Sequence, residues 1–131
     1  ISDSLYERAL LTDSTDILIS NNYAYSLSER GVKLDRALAL VEFALKGDPD
    51  NSSYLDTMGW VLFKLGNYSE AIEYIKKAIE FDNSNATLYD HLADIYAKMN
   101  DNTKAIELYE KSLELDPTIE NVKEKLLKIG E

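Results

Sequence analysis

The chain has 131 residues and no cysteine, and its 14 basic and 24 acidic residues give a formal net charge of −10. This length suits one domain with its own core, and a composition of 45% hydrophobic and 29% charged residues is typical of an ordinary globular chain. The absence of cysteine excludes disulfides and thiol chemistry. The negative charge disfavours nucleic acid and direct contact with an anionic membrane, because both would repel it.

The chain opens with a short amphipathic segment, Asp3–Leu11. Its apolar residues Leu5, Tyr6, Ala9 and Leu10 fall on one helical face. The segment therefore predicts a helix. Its alanine, Ala9, corresponds to an alanine in the second helix of the unit that follows.

A sequence period of 34 residues organises the rest of the chain. Ala71 lies 34 residues after Ala37 and 34 residues before Ala105. The predicted helices are Ile17–Arg30 and Leu34–Lys46, then Ser53–Leu65 and Tyr68–Phe81, then Thr87–Met99 and Thr103–Leu115, and finally Ile119–Ile129. A period of this length indicates stacked pairs of helices.

The turns inside these pairs need left-handed backbone. Gly31 and Gly66 end the first helix of two units as a C′ glycine does, and Asn100 takes the same place in the third unit. The first full unit is one residue longer than the second. We therefore place a one-residue insertion in its turn, residues 31–33.

At these positions the chain resembles the tetratricopeptide repeat (TPR) family, whose 34-residue unit pairs two helices. The residues that carry the resemblance are Tyr23, Ala24, Leu27, Gly31, Ala37, Val41, Ala44 and Pro49 in the first unit, Leu55, Gly59, Leu62, Gly66, Tyr68, Ala71, Ile75 and Ala78 in the second, and Tyr89, Leu92, Ala93, Tyr96, Ala105, Tyr109, Ser112 and Pro117 in the third. The resemblance implies an all-α fold, a right-handed superhelix of stacked helix-turn-helix units.

We expect a single domain over residues 1–131. It comprises the second helix of a partial repeat over 1–12, repeats over 17–50, 52–85 and 86–118, and a C-terminal capping helix over 119–131. Because the first unit is incomplete and the chain begins with Ile1, we expect a piece of a longer protein, whose compartment the sequence does not predict.

The sequence offers little for catalysis or for metal binding. His91, the one histidine, lies near Asp90 and Asp94, but one i, i+3 pair supplies too few ligands for a metal ion. We therefore interpret His91 as a solvent-facing helical residue. Phosphate-loop, dinucleotide and nucleophile-elbow motifs do not occur. We expect no enzymatic activity, cofactor or metal.

The resemblance implies that ligands lie in a concave groove lined by the first helix of each unit. The candidate groove residues are Asn21, Tyr25, Ser53, Asp56, Trp60, Phe63, Thr87, Asp90 and Asp94. Such a groove would be acidic with an aromatic floor, which favours a basic or neutral peptide or helix over an acidic one. TPR modules that capture the C-terminal carboxylates of chaperones use Lys, Arg and Asn there, and only Asn21 agrees.

Two questions remain open at this point. Trp60 could anchor a partner's side chain, or it could pack between the first helices of adjacent units. The main functional hypothesis is a scaffold for protein–protein interaction. The alternatives are self-association through Leu5, Tyr6 and Leu10, which we expect to be partly uncovered, or a scaffold region of a larger enzyme or lipoprotein.

Overall fold

The computed structural model describes residues 3–12 and 16–129, and all regular structure within these ranges is helical. The helices are α1 (Asp3–Thr12), α2 (Ile17–Arg30), α3 (Leu34–Gly47), α4 (Ser52–Lys64), α5 (Tyr68–Phe81), α6 (Ala86–Lys98), α7 (Asn102–Leu115) and α8 (Val122–Ile129). The all-α prediction is confirmed. Within the same ranges, no helix combines the length and apolar character that crossing a membrane requires.

Three helix hairpins, α2–α3, α4–α5 and α6–α7, form the body of the molecule. The first helices of adjacent hairpins touch, α2 with α4 and α4 with α6. The short helix α1 packs on α2 at one end, and α8 packs on α7 at the other. This order brings residues roughly one repeat apart in sequence into contact across neighbouring first helices.

The hairpin turns have the predicted left-handed residues. Gly31, Gly66 and Asn100 have φ values of 66°, 88° and 64°. The second hairpin helix begins three residues after Gly31 but two residues after Gly66. The additional residue, Lys33, is itself left-handed at φ 49°. The insertion predicted for this turn is therefore confirmed.

The small residues of the repeat allow the two helices of a hairpin to pack closely. A Cβ atom at Gly59 would lie 2.5 Å from Cγ1 of Ile75 and 3.1 Å from the carbonyl oxygen of Ala71. Ala71 is itself fully buried. Because the space that a larger side chain would need is filled by the partner helix, these positions explain the fold rather than a binding site.

Side-chain caps set where several helices begin. The side chain of Asn51 accepts a hydrogen bond from the backbone N–H of Tyr54, and α4 begins at Ser52, one residue before the predicted start. The last helix begins later than predicted, because residues 120–121 form a turn in which Asn121 has φ 69°. Leu127 of this helix is exposed.

Contacts with α2 cover much of the predicted N-terminal apolar face. Tyr6 stacks on Tyr23 with ring centroids 4.9 Å apart, and Leu10 is buried. Of the three residues expected to be partly uncovered, Leu5 is exposed and Tyr6 is half-buried, whereas Leu10 is not uncovered. The expectation for Leu10 was wrong because its side chain joins the main hydrophobic core.

Candidate functional site

A cavity of about 410 Å³ lies where α2, α4 and α6 meet. Most of its lining residues carry polar side chains, and they are Tyr6, Asn21, Asn22, Tyr25, Ser26, Ser53, Asp56, Thr57, Asn85, Thr87, Leu88 and His91. Each of the three first helices contributes to the lining. The cavity is therefore a property of the stack and not of any single hairpin.

Five of the nine predicted groove residues line this cavity. They are Asn21, Tyr25, Ser53, Asp56 and Thr87. Ser53 and Thr87 are exposed at its mouth, whereas Asn21 and Asp56 are only 3% and 8% exposed. The other four predicted residues lie outside this lining and have contacts of their own.

The prediction that His91 faces solvent is wrong. His91 is 6% exposed, and its Nδ1 atom lies 2.9 Å and 3.0 Å from the two carboxylate oxygens of Asp56 on the neighbouring first helix. Since a carboxylate accepts hydrogen bonds, Nδ1 is the donor. This contact connects α4 to α6 through a buried pair that helical periodicity did not reveal.

The environment of His91 favours its protonated form. Burial alone would lower the pKa of this imidazole, but the charge of Asp56 and its hydrogen bond outweigh that effect, and the pKa of His91 is raised above 6.5. The charges of Asp90 and Asp94 act in the same direction. The imidazolium beside the carboxylate of Asp56 therefore persists to higher pH than it would in an unperturbed histidine.

Trp60 packs against the imidazole ring of His91. Its ring stacks on His91 with centroids 4.3 Å apart and contacts Phe63 at 4.9 Å. The indole is only 7% exposed, and its Nε1 atom is buried without a hydrogen-bond partner among the described residues. Nζ of Lys64 lies over the indole ring, 5.5 Å from its centroid.

Asp90 and Asp94 are paired with a lysine from the last helix. Nζ of Lys125 lies 2.9 Å from Oδ1 of Asp90 and 3.1 Å from Oδ1 of Asp94. The hydroxyl of Tyr109 donates a hydrogen bond to Asp94. Burial raises the pKa of Asp90 although the hydrogen bond from Lys125 opposes it. The negative charge predicted for this part of the groove is therefore partly compensated within the chain.

The two charge pairs occupy equivalent positions in the repeat. Asp56 and Asp90 are 34 residues apart, as are His91 and Lys125. Each carboxylate therefore binds a cation 35 residues later, one repeat plus one residue. This spacing is the sequence signal for the two pairs. It cannot be found by looking only for partners that are close in sequence.

Metal chemistry has no geometric support within residues 3–12 and 16–129. No group of three or more His, Cys, Asp or Glu side chains in these ranges is arranged to hold a metal ion. The polar contacts on the first helices instead connect one helix to the next.

Comparison with known proteins agrees with the repeat and the fold. A TPR repeat model matches residues 59–100, and a tetratricopeptide repeat model matches residues 86–119. The TPR repeat-containing protein PA4667 of Pseudomonas aeruginosa is 32% identical over 56 residues, which are 43% of this chain and 10% of that protein. The match thus spans about a tenth of the length of this curated relative.

Two solved structures show the same architecture. The first TPR of Spaghetti (RPAP3), bound to the HSP90 peptide SRMEEVD, superposes with a TM-score of 0.77 at 22% identity over 90% of this chain and 93% of its own. MamA superposes with a TM-score of 0.76 at 20% identity over 95% of this chain and 72% of its own. Tetratricopeptide repeats thus match residues 59–119, and the described part of the chain folds as an α-helical solenoid of this kind.

Proposed function

We propose that this chain is a non-catalytic scaffold that binds a segment of a partner protein across the first helices α2, α4 and α6. The observation that carries the proposal is the cavity of about 410 Å³ to which all three of these helices contribute. An extended or helical segment lying across them would contact every unit of the stack. The peptide complex of the structurally similar Spaghetti domain supports this class of function.

The charge of the whole chain argues for a basic or neutral segment. None of the described residues that line the cavity is Lys or Arg, and the carboxylate of Asp56 is paired with His91 in the same lining. The whole chain carries a net charge of −10, so an acidic segment would also be repelled at longer range. We therefore propose that this groove prefers a basic or neutral segment, whereas a carboxylate-binding groove prefers an acidic one.

Arginine substitutions at the cavity mouth test this proposal without disturbing the core. Ser53 and Thr87 are exposed and line the cavity. Peptides selected from a random display library against the wild-type protein should lose at least about tenfold in affinity for Ser53→Arg/Thr87→Arg, because two long cations would obstruct and repel them. Fluorescence anisotropy measures this loss.

The matched control is Ser69→Arg/Thr103→Arg, which places the same substitutions on the second helices α5 and α7, where both residues are exposed. This variant should bind as wild type does. Equal affinities of both variants for every selected peptide would contradict the proposed binding face. Failure to select any peptide that binds would contradict the proposed function itself.

A second candidate function is self-association through the N-terminal end. Leu5 and Leu11 of α1 are both exposed, and Leu11 is 87% exposed. Two such ends in contact would cover these side chains. Light scattering over a range of protein concentrations tests this candidate, and a constant monomer mass would exclude it.

A further inference from the structure

A second cavity, which we call the N-terminal cavity, lies at the N-terminal end of the stack. It has a volume of about 200 Å³ and is lined by residues of α1, α2 and α3, namely Leu10, Ser20, Arg36, Ala39, Leu40 and Phe43. The floor residues Leu10, Ser20 and Leu40 are buried, whereas the rim residues Arg36, Ala39 and Phe43 are exposed. An apolar side chain from another molecule would thus pass an exposed rim and meet a largely apolar floor.

Ser20 is the reason that this cavity exists. In the repeat it occupies the position of Leu55 in the second unit and of Tyr89 in the third. Its hydroxyl donates a hydrogen bond to the backbone oxygen of Asp16, and its short side chain does not fill the space that a leucine or a tyrosine fills. The first unit therefore lacks a large side chain that the later units supply for themselves.

The second unit shows which kind of side chain suits this place. Leu55 is 1% exposed and packs in an apolar cluster with Leu45 and Tyr74. These two residues are the equivalents of Leu10 and Leu40 in the N-terminal cavity. A leucine that lies on Leu10 and Leu40 would therefore reproduce a contact that the chain already makes one unit later.

The surface around the N-terminal cavity is apolar where the later units are charged. Ala39, Phe43 and Leu11 are all exposed, Phe43 by 39% and Leu11 by 87%. Leu11 directly follows Leu10 of the lining. Apolar residues that replace charged ones around a single cavity indicate a surface that another protein covers. In the later units the equivalents of Ala39 are Glu73 and Glu107, those of Phe43 are Lys77 and Lys111, and those of Leu11 are Lys46, Glu80 and Glu114.

The charge distribution favours a second copy of this chain as the molecule that covers this end. Residues 1–47 contain five basic and seven acidic residues, a net −2, whereas residues 48–131 contain nine and seventeen, a net −8. At the rim, Arg36 is paired with Glu7 at 3.2 Å. Two copies therefore repel each other least where their N-terminal ends meet. This end also carries both a cavity and an exposed leucine beside it, which is the self-complementary arrangement that a two-fold interface needs.

We propose that two copies of this chain associate through their N-terminal cavities, with Leu11 of each copy packed on Leu10 and Leu40 of the other copy. Ala39 and Phe43 of the rim then cover the inserted leucine. This site deepens the self-association candidate, on which it rests, and it is independent of the partner segment proposed for α2, α4 and α6.

Ser20→Leu tests the proposal by filling the cavity from within. At high concentration, wild-type protein should approach twice its monomer mass of 14.9 kDa in sedimentation equilibrium. Ser20→Leu should raise the dimer dissociation constant by about tenfold or more. Its thermal unfolding midpoint should stay the same or rise, because the substitution restores the leucine found in the second unit and fills a cavity.

Ala39→Glu/Phe43→Lys tests the rim without changing a buried residue. The variant copies Glu73 and Lys77 of the second unit onto exposed positions, so it stays informative whatever Ser20→Leu does to the core. It should also weaken association by about tenfold or more. The matched control is Leu127→Lys, which changes a leucine that is 72% exposed on α8 at the other end of the stack. The control should associate as wild type does.

The outcomes separate this site from the binding of a partner segment. A monomer mass at every concentration would overturn the site and the self-association candidate together, and peptide binding at Ser53 and Thr87 would be unaffected. Association that Ser20→Leu and the rim variant leave unchanged would overturn the N-terminal cavity as the site. An equal loss of association in Leu127→Lys would do the same.

Discussion

His91 donates from Nδ1 to the carboxylate of Asp56 at 2.9 Å, across two first helices and 35 residues of sequence. Lys125 binds Asp90 at the same separation in sequence and also at 2.9 Å. The two pairs occupy successive positions along the stack, so each connects one repeat unit to the next. They bring charge into a face that would otherwise be held together by apolar packing alone.

The first prediction concerns pH. The folded protein binds the His91 proton more tightly than the unfolded chain does, since the pKa of His91 is raised on folding. Its stabilising contribution is therefore complete below the unfolded value of about 6.5 and is lost as pH rises through the higher folded value. Urea unfolding measured over a pH range that starts below about 6.5 should show the free energy of unfolding falling as pH rises through the folded pKa of His91.

His91→Gln is the control for this titration. The variant should be less stable than wild type at low pH, and its stability should vary less with pH over the same window. Asp56→Asn should flatten the dependence as well, because it removes the partner that raises the pKa. If both variants showed the same dependence of unfolding free energy on pH as wild type, groups other than His91 would be responsible for that dependence.

The second prediction concerns the contact between α6 and α8. Lys125→Met should lower the free energy of unfolding by about 1–2 kcal/mol, because it leaves Asp90 and Asp94 close together without their cation. Chemical denaturation measures the loss. Lys123→Met on the same helix is exposed and should cost little, so equal losses for the two variants would argue against a specific role for Lys125.

The third prediction concerns close packing in the central hairpin. Gly59→Ala should cost on the order of 1–3 kcal/mol, because the new methyl group would meet Ile75 and the backbone of Ala71. Gly47→Ala should cost less, because its nearest neighbours are side-chain atoms of Ile17 at 3.0 Å. Thermal unfolding of both variants checks this order, and the reverse order would contradict the packing account.

The fourth prediction concerns acidic ligands. The peptide SRMEEVD, seen bound to the Spaghetti domain, should bind this chain weakly or not at all, because no Lys or Arg is among the described residues that line the cavity. A version with lysine in place of its three acidic residues should bind more tightly. Isothermal titration calorimetry compares the two, and a preference for the acidic peptide would refute the charge argument.

The architecture was predictable from sequence because its signals are local and recur with the period. Gly31, Gly66 and Asn100 identify the turns through the left-handed backbone that they tolerate. Gly59 and Ala71 identify the helix contact through their size. Such signals depend on single residues and their periodic copies, so the unaligned sequence was sufficient.

The polar contacts of the candidate site were harder to predict. His91 and Asp56 are 35 residues apart, and only the stacking of first helices brings them together. Without that register, a lone polar histidine resembles a surface residue. Lys125 also resembles a surface residue in the sequence, although it reaches inwards to Asp90.

The central claim is that a partner segment lies across α2, α4 and α6 over the cavity. NMR spectroscopy of the ¹⁵N-labelled protein with a selected peptide tests it most directly, through intermolecular NOEs and shifts of assigned amides. The account predicts contacts to Asn21, Ser53 and Thr87, three lining residues from three helices. Contacts confined to the second helices α3, α5 and α7 would contradict it.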